Sequence, residues 1–402
     1  MENNQEVLLR VEHLCQYFKG NKAVDDVSFD IKKGEVFGLV GESGCGKTTT
    51  GRSIIKLYDI TSGNVYFKGI RICAGVASYK NAIKEARAAY KAVCADSNAT
   101  ADQKKAAREK CKNTVSEQRA LIRKARYDQK NCDKEYAQEQ VDAVHAKYKP
   151  LLSAAAQDQK AALQAEYRDA LRKAKKTRLV TQIQMIFQDP IASLDPRMTV
   201  REIIAEGLIV NGERDKKVID EKVYQMLELV GLVREHAGRY PHEFSGGQKQ
   251  RVGVARSIIM QPELIIADEP VSALDVSIQA QVINLLNELR DRLGLTILFI
   301  AHDLSVVKYF SDRIGVMYYG KLVEMASSDE LFRNPLHPYT RSLLSAIPLP
   351  DPEYEKTRQR IVYNPLAEHD YSVDKPSLRE VKPGHFVYCN NAEFENYLKI
   401  IK

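Results

Sequence analysis

The chain has 402 residues, of which 44% are hydrophobic and 28% charged, an ordinary balance for two or three globular domains. This composition excludes disorder of the whole chain. Apolar runs such as Leu295–Ala301 are far shorter than the roughly 20 residues that span a bilayer, and Met1–Gln5 is polar where a secretory signal would be basic and then apolar. We therefore expect a soluble protein that stays in the compartment where it is made.

The seven cysteines are spaced in a way that is typical of reduced thiols. They lie at least 17 residues apart, and no two of them form a C-x-x-C pair. This spacing argues against a zinc or iron–sulfur site, and the length of the chain argues against a disulfide framework. We expect reduced cytosolic thiols.

The net charge of +7 is distributed unevenly along the chain. Residues 74–178 contain 24 basic and 13 acidic side chains, a balance of +11. The remainder contains 36 basic and 40 acidic side chains, a balance of −4. One segment therefore supplies all of the excess positive charge, which indicates that it is organised separately from the rest.

Residues 7–72 are predicted to form short strands joined by turns. Val7–Val11 and Val27–Ile31 are β-prone, and the apolar run Val36–Val40 ends in a glycine-rich loop. The segment Thr48–Lys56 is predicted to be the start of a helix. Another strand, Gly63–Phe67, is followed by Gly69.

The composition changes abruptly at residue 74. The 105 residues 74–178 hold 25 alanines but one glycine and one proline, Pro150. A heptad-like apolar seam from Tyr79 to Val93 predicts one helix, and Thr100 with Gln103 resembles a capping box that starts a second. The second helix is predicted to run to about Lys147, where Pro150 interrupts it, and a third to run from about Ser153 to Lys176. We expect an inserted helical hairpin or small three-helix bundle.

Strands and helices alternate again from Val180 onwards. The predicted strands are Ile183–Phe187, Leu264–Ala267 and Thr296–Ala301, and the predicted helices include Ile219–Leu229 and Ile278–Leu289. Apolar strands that alternate with helices indicate a mostly parallel sheet covered on both faces. After Pro335 the chain is rich in proline, and we expect an irregular tail.

The strongest chemical motif is Gly41-Glu42-Ser43-Gly44-Cys45-Gly46-Lys47-Thr48, which matches G-x-x-x-x-G-K-[ST] in full. Its glycines let backbone N–H groups surround phosphate oxygens. Lys47 would neutralise the β- and γ-phosphates, and the Thr48 hydroxyl would bind Mg²⁺. The preceding apolar strand and the following helix are the context that this chemistry requires.

A second motif is the apolar strand that ends in Asp268-Glu269. Its carboxylates are predicted at the carboxyl edge of the sheet, beside the phosphate loop, where Asp268 can hold Mg²⁺ and Glu269 can polarise the attacking water. A third motif, Ser245-Gly246-Gly247-Gln248, precedes a predicted helix and would form a second anion site at its positive end. Two sites for one γ-phosphate are explained by a dimer in which each loop completes the partner's site.

These three motifs, in this order, resemble the nucleotide-binding subunit of ABC transporters. The resemblance implies a P-loop NTPase fold of the ABC type: an α/β fold with a parallel core sheet, an antiparallel β-subdomain and a helical signature subdomain, here with the helical insertion. It implies ATP and Mg²⁺ as cofactors and further functional positions. Gln188 resembles the Q-loop residue, Ser272-Ala273-Leu274-Asp275 the D-loop and His302 the switch histidine. Phe18 lies where the family has an aromatic residue that stacks on adenine, and Tyr17 is the other candidate.

The site that the resemblance implies has three groups of residues. The implied catalytic residues are Glu269, His302, Lys47 and Gln188. The implied metal-binding residues are Thr48, Gln188 and Asp268. The implied nucleotide-binding residues are Phe18, Gly41, Glu42, Ser43, Gly44, Cys45, Gly46, Lys47, Thr48, Thr49, Ser245, Gly246, Gly247, Gln248 and Asp275.

The segments 187–200 and 334–344 resemble, more specifically, the ATPases of oligopeptide and dipeptide importers. Such importers generally have two different ATPase subunits, and Arg197-Met198-Thr199-Val200 resembles the second, F-type subunit. About 297 residues take part in this resemblance. It implies two transmembrane permeases, a second homologous ATPase and a peptide-binding protein as partners. It also implies a peripheral position on the cytoplasmic face of the plasma membrane. The expected domains are the nucleotide-binding domain (1–73 and 179–334), the insertion (74–178) and a C-terminal tail (335–402).

Two features depart from this family pattern. Only Cys389 lies in the tail, where many members carry a cysteine cluster, so an iron–sulfur cluster is not expected. The insertion 74–178 should project from the β-subdomain without breaking the ATP site. It is either a solvated bundle or a basic arm that contacts anionic lipid or an acidic protein. Nucleic acid is a less favoured partner, and a ribosome-associated ABC ATPase with a basic arm is the competing interpretation.

Overall fold

Two β-sheets form the centre of the chain in the computed structural model, which describes residues 6–189, 192–272, 274–347 and 360–401, without the side chains of 157 and 158. The strands are β1 (Val7–Phe18), β2 (Asn21–Lys32), β3 (Val36–Val40), β4 (Ser62–Phe67), β5 (Ile70–Ala74), β6 (Ile183–Ile186), β7 (Leu264–Asp268), β8 (Thr296–Ala301), β9 (Arg313–Tyr318), β10 (Lys321–Ser327), β11 (Ser377–Lys382) and β12 (His385–Cys389).

The smaller sheet is antiparallel and has the strand order β2-β1-β4-β5. The larger sheet has the order β11-β12-β10-β9-β3-β8-β7-β6. Its strands from β9 to β6 are parallel, with Val40 opposite Ala301 and Ala267 opposite Phe299. Every residue of β3, β7 and β8 is buried, as expected for parallel strands covered on both faces. The predicted α/β fold, with a parallel core sheet and an antiparallel β-subdomain, is confirmed.

Helices cover both faces of the larger sheet and form the insertion. In chain order they are α1 (Lys47–Ile54), α2 (Ala77–Ala95), α3 (Ala101–Ala154), α4 (Gln157–Lys176), α5 (Val200–Val210), α6 (Lys216–Leu229), α7 (Gly246–Ile258), α8 (Val276–Leu293), α9 (Leu304–Phe310), α10 (Ser328–Arg333), α11 (Pro338–Ser345), α12 (Pro365–Glu368) and α13 (Asn391–Ile400). Within the described ranges, none of them has the length and hydropathy needed to cross a bilayer.

Two hydrophobic clusters hold these layers together. One lies between the larger sheet and helices α5 to α8, with Ile204, Val254 and Leu286 fully buried in it. The other lies between the smaller sheet and the opposite face of the larger one, with Leu9, Phe67 and Ile266 fully buried in it. The larger sheet is therefore covered on both faces, and the loops after its parallel strands remain at one edge.

The insertion consists of α2, α3 and α4, and α3 alone spans 54 residues, about 80 Å at the rise of an α-helix. Thr100 and Gln103 form the predicted capping box, with both reciprocal bonds present. The predicted interruption at Pro150 is wrong, because α3 continues to Ala154. Pro150 lies only four residues from that end, so the missing N–H costs one hydrogen bond near a terminus.

The middle of α3 packs against the smaller sheet. Its buried residues are Ala125, Cys132, Tyr136 and Val141, and Cys132 and Tyr136 belong to the cluster that lies beneath that sheet. Arg71 on β5 donates to Asp128 through Nε at 2.9 Å and Nη2 at 2.5 Å. The insertion therefore does more than project from the β-subdomain: its centre is part of the core, whereas α2 and α4 pair with the two ends of α3.

The C-terminal segment is more ordered than the predicted irregular tail. Strand β12 pairs with β10, β11 pairs with β12, and these strands extend the larger sheet. The sequence of β12, His-Phe-Val-Tyr-Cys, is rich in β-prone residues. The prolines that suggested an irregular tail precede this strand, so they do not interrupt it.

Candidate active site

The glycine-rich loop joins β3 to α1, as its motif predicts. Lys47 is buried, and its Nζ donates to the backbone oxygens of Gly41 at 2.8 Å and Glu42 at 2.9 Å. Gly46 has a φ of +107°, and a Cβ there would lie 2.3 Å from the backbone oxygen of Ala23. Only glycine fits this conformation and this close approach. The loop therefore surrounds the Lys47 ammonium with its own backbone, an arrangement suited to binding phosphate groups.

Thr48 and Asp268 meet beside this loop. The Thr48 hydroxyl donates to Asp268 Oδ1 at 2.8 Å. The second carboxylate oxygen of Asp268 is buried and has no hydrogen-bond partner among the described residues. Burial raises the pKa of Asp268, and the bond from Thr48 opposes that rise. A buried oxygen without a partner next to a hydroxyl is a donor set that suits Mg²⁺, which prefers oxygen ligands.

A second cluster lies at the ends of β6, β7 and β8. Gln188 Nε2 donates to Glu269 Oε2 at 2.8 Å, and His302 Nδ1 lies 3.5 Å from the same oxygen. The Glu269 side chain is 13% exposed and that of His302 is 55% exposed. Glu269 has a φ of +45°, a backbone conformation that costs about 1–3 kcal/mol. Parallel strands end at one edge of a sheet, and this is why residues far apart in sequence meet here.

The serine–glycine motif lies elsewhere on the surface. Ser245 caps α7 by accepting from Gln248 N–H at 3.4 Å, and the Gln248 side chain accepts from Ser245 N–H at 3.1 Å. Ser245 and Gly246 are exposed. Among the described residues, no hydrogen bond joins this motif to the loop at 41–48, so the structure does not bring the two together within one chain. Asp275 precedes α8 as its N-cap residue, and Ala273 of the same motif lies outside the described residues.

The two aromatic residues that could stack on adenine, Phe18 and Tyr17, differ in how exposed and how bonded their side chains are. Phe18 is 40% exposed and contacts the ring of Tyr58 edge-on at 5.2 Å. The Tyr17 hydroxyl instead donates to Asp25 Oδ1 at 2.6 Å. Phe18 is thus the residue whose ring is free to take a further stacking partner.

Two contacts to the glycine-rich loop were missed by the sequence analysis. Glu42 N–H donates to the hydroxyl of Tyr339 on α11 at 3.1 Å, and Gly320 N–H donates to the backbone oxygen of Cys45 at 2.9 Å. Tyr339 is 2% exposed. The segment that contains Tyr339 supported the family resemblance in the sequence analysis. Nothing in its sequence indicates that the Tyr339 hydroxyl contacts the glycine-rich loop.

Comparisons with known proteins agree with this geometry. The chain matches the ABC transporter family over residues 24–165 and 149–272. It also matches the family described as "Oligopeptide/dipeptide transporter, C-terminal region" over residues 323–372. The second match contains Tyr339, the residue that contacts the glycine-rich loop.

Full-length relatives and solved structures extend these matches. The chain is 47% identical to an oligopeptide transport ATP-binding protein, OppF, of Bacillus subtilis, covering 98% of this chain and 99% of the relative. It is 42% identical to a dipeptide transport ATP-binding protein, DppF, of Lactococcus lactis, covering 94% and 91%. The CbiO1 structure from Clostridium perfringens, at a TM-score of 0.51 and 21% identity over 82% of this chain and 92% of that one, supports the fold alone. The chain belongs to the oligopeptide and dipeptide transport branch of the ABC transporter ATPases.

Proposed function

We propose that this chain hydrolyses ATP to energise the import of oligopeptides or dipeptides. The observation that carries the proposal is the cluster at one sheet edge, where Thr48 contacts Asp268 and where Gln188 and His302 both approach Glu269. The relatives at 47% and 42% identity are named as peptide transport ATP-binding proteins, and they are aligned over nearly their whole length.

The glycine-rich loop would bind the phosphates of ATP, with its N–H groups and the Lys47 ammonium facing the β- and γ-phosphates. Lys47 now donates to two backbone oxygens, and those bonds would be exchanged for phosphate oxygens. Phe18 would stack on the adenine. Thr48 and Asp268 would hold Mg²⁺, with Gln188 nearby; the ion when bound would neutralise charge on the β- and γ-phosphates.

Glu269 would act as the general base toward the attacking water. Its carboxylate is largely shielded, and Gln188 holds one of its oxygens, which leaves the other to accept a proton. His302 reaches the same carboxylate from β8 and would contact the γ-phosphate. Side chains fixed in this way lower the cost of orienting water in the transition state.

A second ATPase subunit would complete the site. Ser245 and Gly246 are exposed, and the motif Ser245–Gln248 is not bonded to the loop at 41–48 among the described residues, so it is free to face the γ-phosphate of a partner. We infer a heterodimer with a homologous ATPase, docked on two permeases at the cytoplasmic face of the membrane and working with a peptide-binding protein. The relatives reported above are transport ATPases, and neither name favours the ribosome-associated alternative.

The substitution Glu269→Gln tests the role of the base. We expect ATP turnover to fall by about 10²- to 10⁴-fold, the usual worth of a general base, while nucleotide binding persists and ATP-bound dimers accumulate. Glu288→Gln, which alters an exposed carboxylate on α8, is the matched control and should leave turnover unchanged. Unchanged turnover in Glu269→Gln would overturn the assignment.

A further inference from the structure

A basic groove runs along one face of α3 in the half of the insertion that pairs with α2. It has a volume of about 730 Å³, and Tyr90 of α2 is one of the residues that line it. Among the residues that the structure describes, no acidic side chain lines it, and its basic residues are Arg108, Lys112, Arg119, Arg123 and Arg126. Their spacing places them on one helix face over about 27 Å.

The excess charge of the insertion is concentrated in this half. Residues 77–127, which comprise α2 and the first half of α3, hold 13 basic and 5 acidic side chains. Residues 128–178, which comprise the second half of α3 and α4, hold 11 and 8. The two halves have similar lengths and the same helical construction, so the difference between +8 and +3 is not a requirement of the fold.

The basic side chains of the groove have no acidic partner in the part of the chain that the structure describes. Within the described ranges, none of the five lies within 4.0 Å of a carboxylate oxygen. On α4, by contrast, Lys173 pairs with Asp169 at 2.7 Å. Like charges held in one row repel each other, and a counter-charge from another molecule would relieve that repulsion.

Apolar side chains lie between the cations. Cys111, Val115 and Ile122 line the same groove and are half-buried. The surface therefore alternates between sites for negative charge and sites for hydrocarbon. This combination fits the headgroup and glycerol region of an anionic lipid. A nucleic-acid surface would present more stacking aromatic residues than Tyr90, the one aromatic among the described residues that line the groove.

We propose that the face of α3 from Arg108 to Arg126 binds anionic phospholipid headgroups and lays this arm against the membrane surface. The proposal rests on the proposed function, because an ATPase docked on permeases works next to such a surface. Each cation near an anionic leaflet contributes about 1 kcal/mol to binding, and added salt weakens the attraction.

Binding of the purified full-length chain to vesicles tests the proposal. One set contains phosphatidylcholine and phosphatidylglycerol in equal parts, and the other contains phosphatidylcholine alone. The double variant Arg119→Gln/Arg123→Gln should bind the anionic vesicles about 30-fold less tightly than the unmodified chain. Arg168→Gln/Arg172→Gln is the matched control, because both arginines are exposed on α4 with the same spacing and the same charge loss. The control should lose less than about threefold, and both double variants should keep full ATPase activity.

Three results would overturn the proposal: binding to poly-glutamate or RNA in place of anionic vesicles, equal losses in the two double variants, or displacement from vesicles by inorganic phosphate at constant ionic strength. Turnover and vesicle binding, measured separately, distinguish the catalytic assignment from the lipid proposal. If Glu269→Gln keeps its turnover while the unmodified chain binds anionic vesicles as expected, the catalytic assignment is wrong and the lipid proposal stands.

Discussion

Tyr339 connects the C-terminal segment to the glycine-rich loop, and its hydroxyl can be removed without disturbing its ring. The ring centroid lies 4.3 Å from that of Tyr318 and 5.6 Å from that of Tyr363, so the phenyl ring of Tyr339→Phe would keep its place. The substitution deletes only the acceptor for Glu42 N–H, at 3.1 Å. A neutral hydrogen bond of this kind contributes about 1 kcal/mol net.

We expect this loss to weaken ATP binding, because Glu42 belongs to the loop that receives the phosphates. An energy of about 1 kcal/mol corresponds to about a fivefold increase in Kd for ATP. The KM for ATP should increase similarly, while kcat changes little, since Glu269, Gln188 and His302 are untouched. The assay is steady-state ATP hydrolysis over a range of ATP concentrations, together with direct titration of nucleotide binding.

Tyr363→Phe is the control for this measurement. Tyr363 lies in the same aromatic cluster, but its hydroxyl makes no hydrogen bond to the loop at 41–48 among the described residues. It should leave KM unchanged. A Tyr339→Phe variant with unaltered KM, or equal increases in both variants, would show that the hydroxyl does not position the loop.

Two further predictions concern stability. Asp128→Ala should lower the free energy of unfolding in urea by about 2 kcal/mol, because Arg71 is left largely buried without its carboxylate. The double variant Arg71→Met/Asp128→Leu removes both charges and should be more stable than Asp128→Ala. If the two variants are equally unstable, the loss of the ion pair is not the cause. Burial lowers the pKa of His337 to about 3, so protonation favours the unfolded chain and stability should fall by about 1.4 kcal/mol per pH unit below about 6.5. His337→Asn keeps an acceptor for Tyr339 N–H and should lose that part of the slope in unfolding measured from about pH 7 to 5; an identical slope in both chains would contradict this.

The sequence predicted the elements that carry strong local patterns. Both ends of strand β8 were predicted correctly. The predicted buried strand that begins at Leu264 and the predicted capping box at Thr100 are also present in the structure. These features depend on residues that are close in sequence. Gln188, Glu269 and His302 were grouped in the sequence analysis only by the family resemblance; the structure places Gln188 and His302 each within 3.5 Å of Glu269 Oε2.

The features that were missed depend on long-range packing. Nothing near Tyr136 indicates that it is buried under the smaller sheet, because its neighbours in α3 are polar. Strand β12 is short and follows a proline-rich stretch, so its pairing with β10 could be recognised only with both strands in view. Pro150 was given too much weight, because a proline near a helix end costs less than one in the middle.

The docking of α3 by its centre divides the insertion into two independent excursions. The chain leaves β5, travels out along α2 and returns along the first half of α3 to Asp128 and Cys132. It then travels out along the second half and returns along α4 to the edge of the sheet at Leu179. Because each excursion ends near where it began, either could be shortened or lengthened by matched helical turns without moving the nucleotide site. The insertion of an enzyme built in this way can extend over a different distance from the core while the catalytic geometry stays the same.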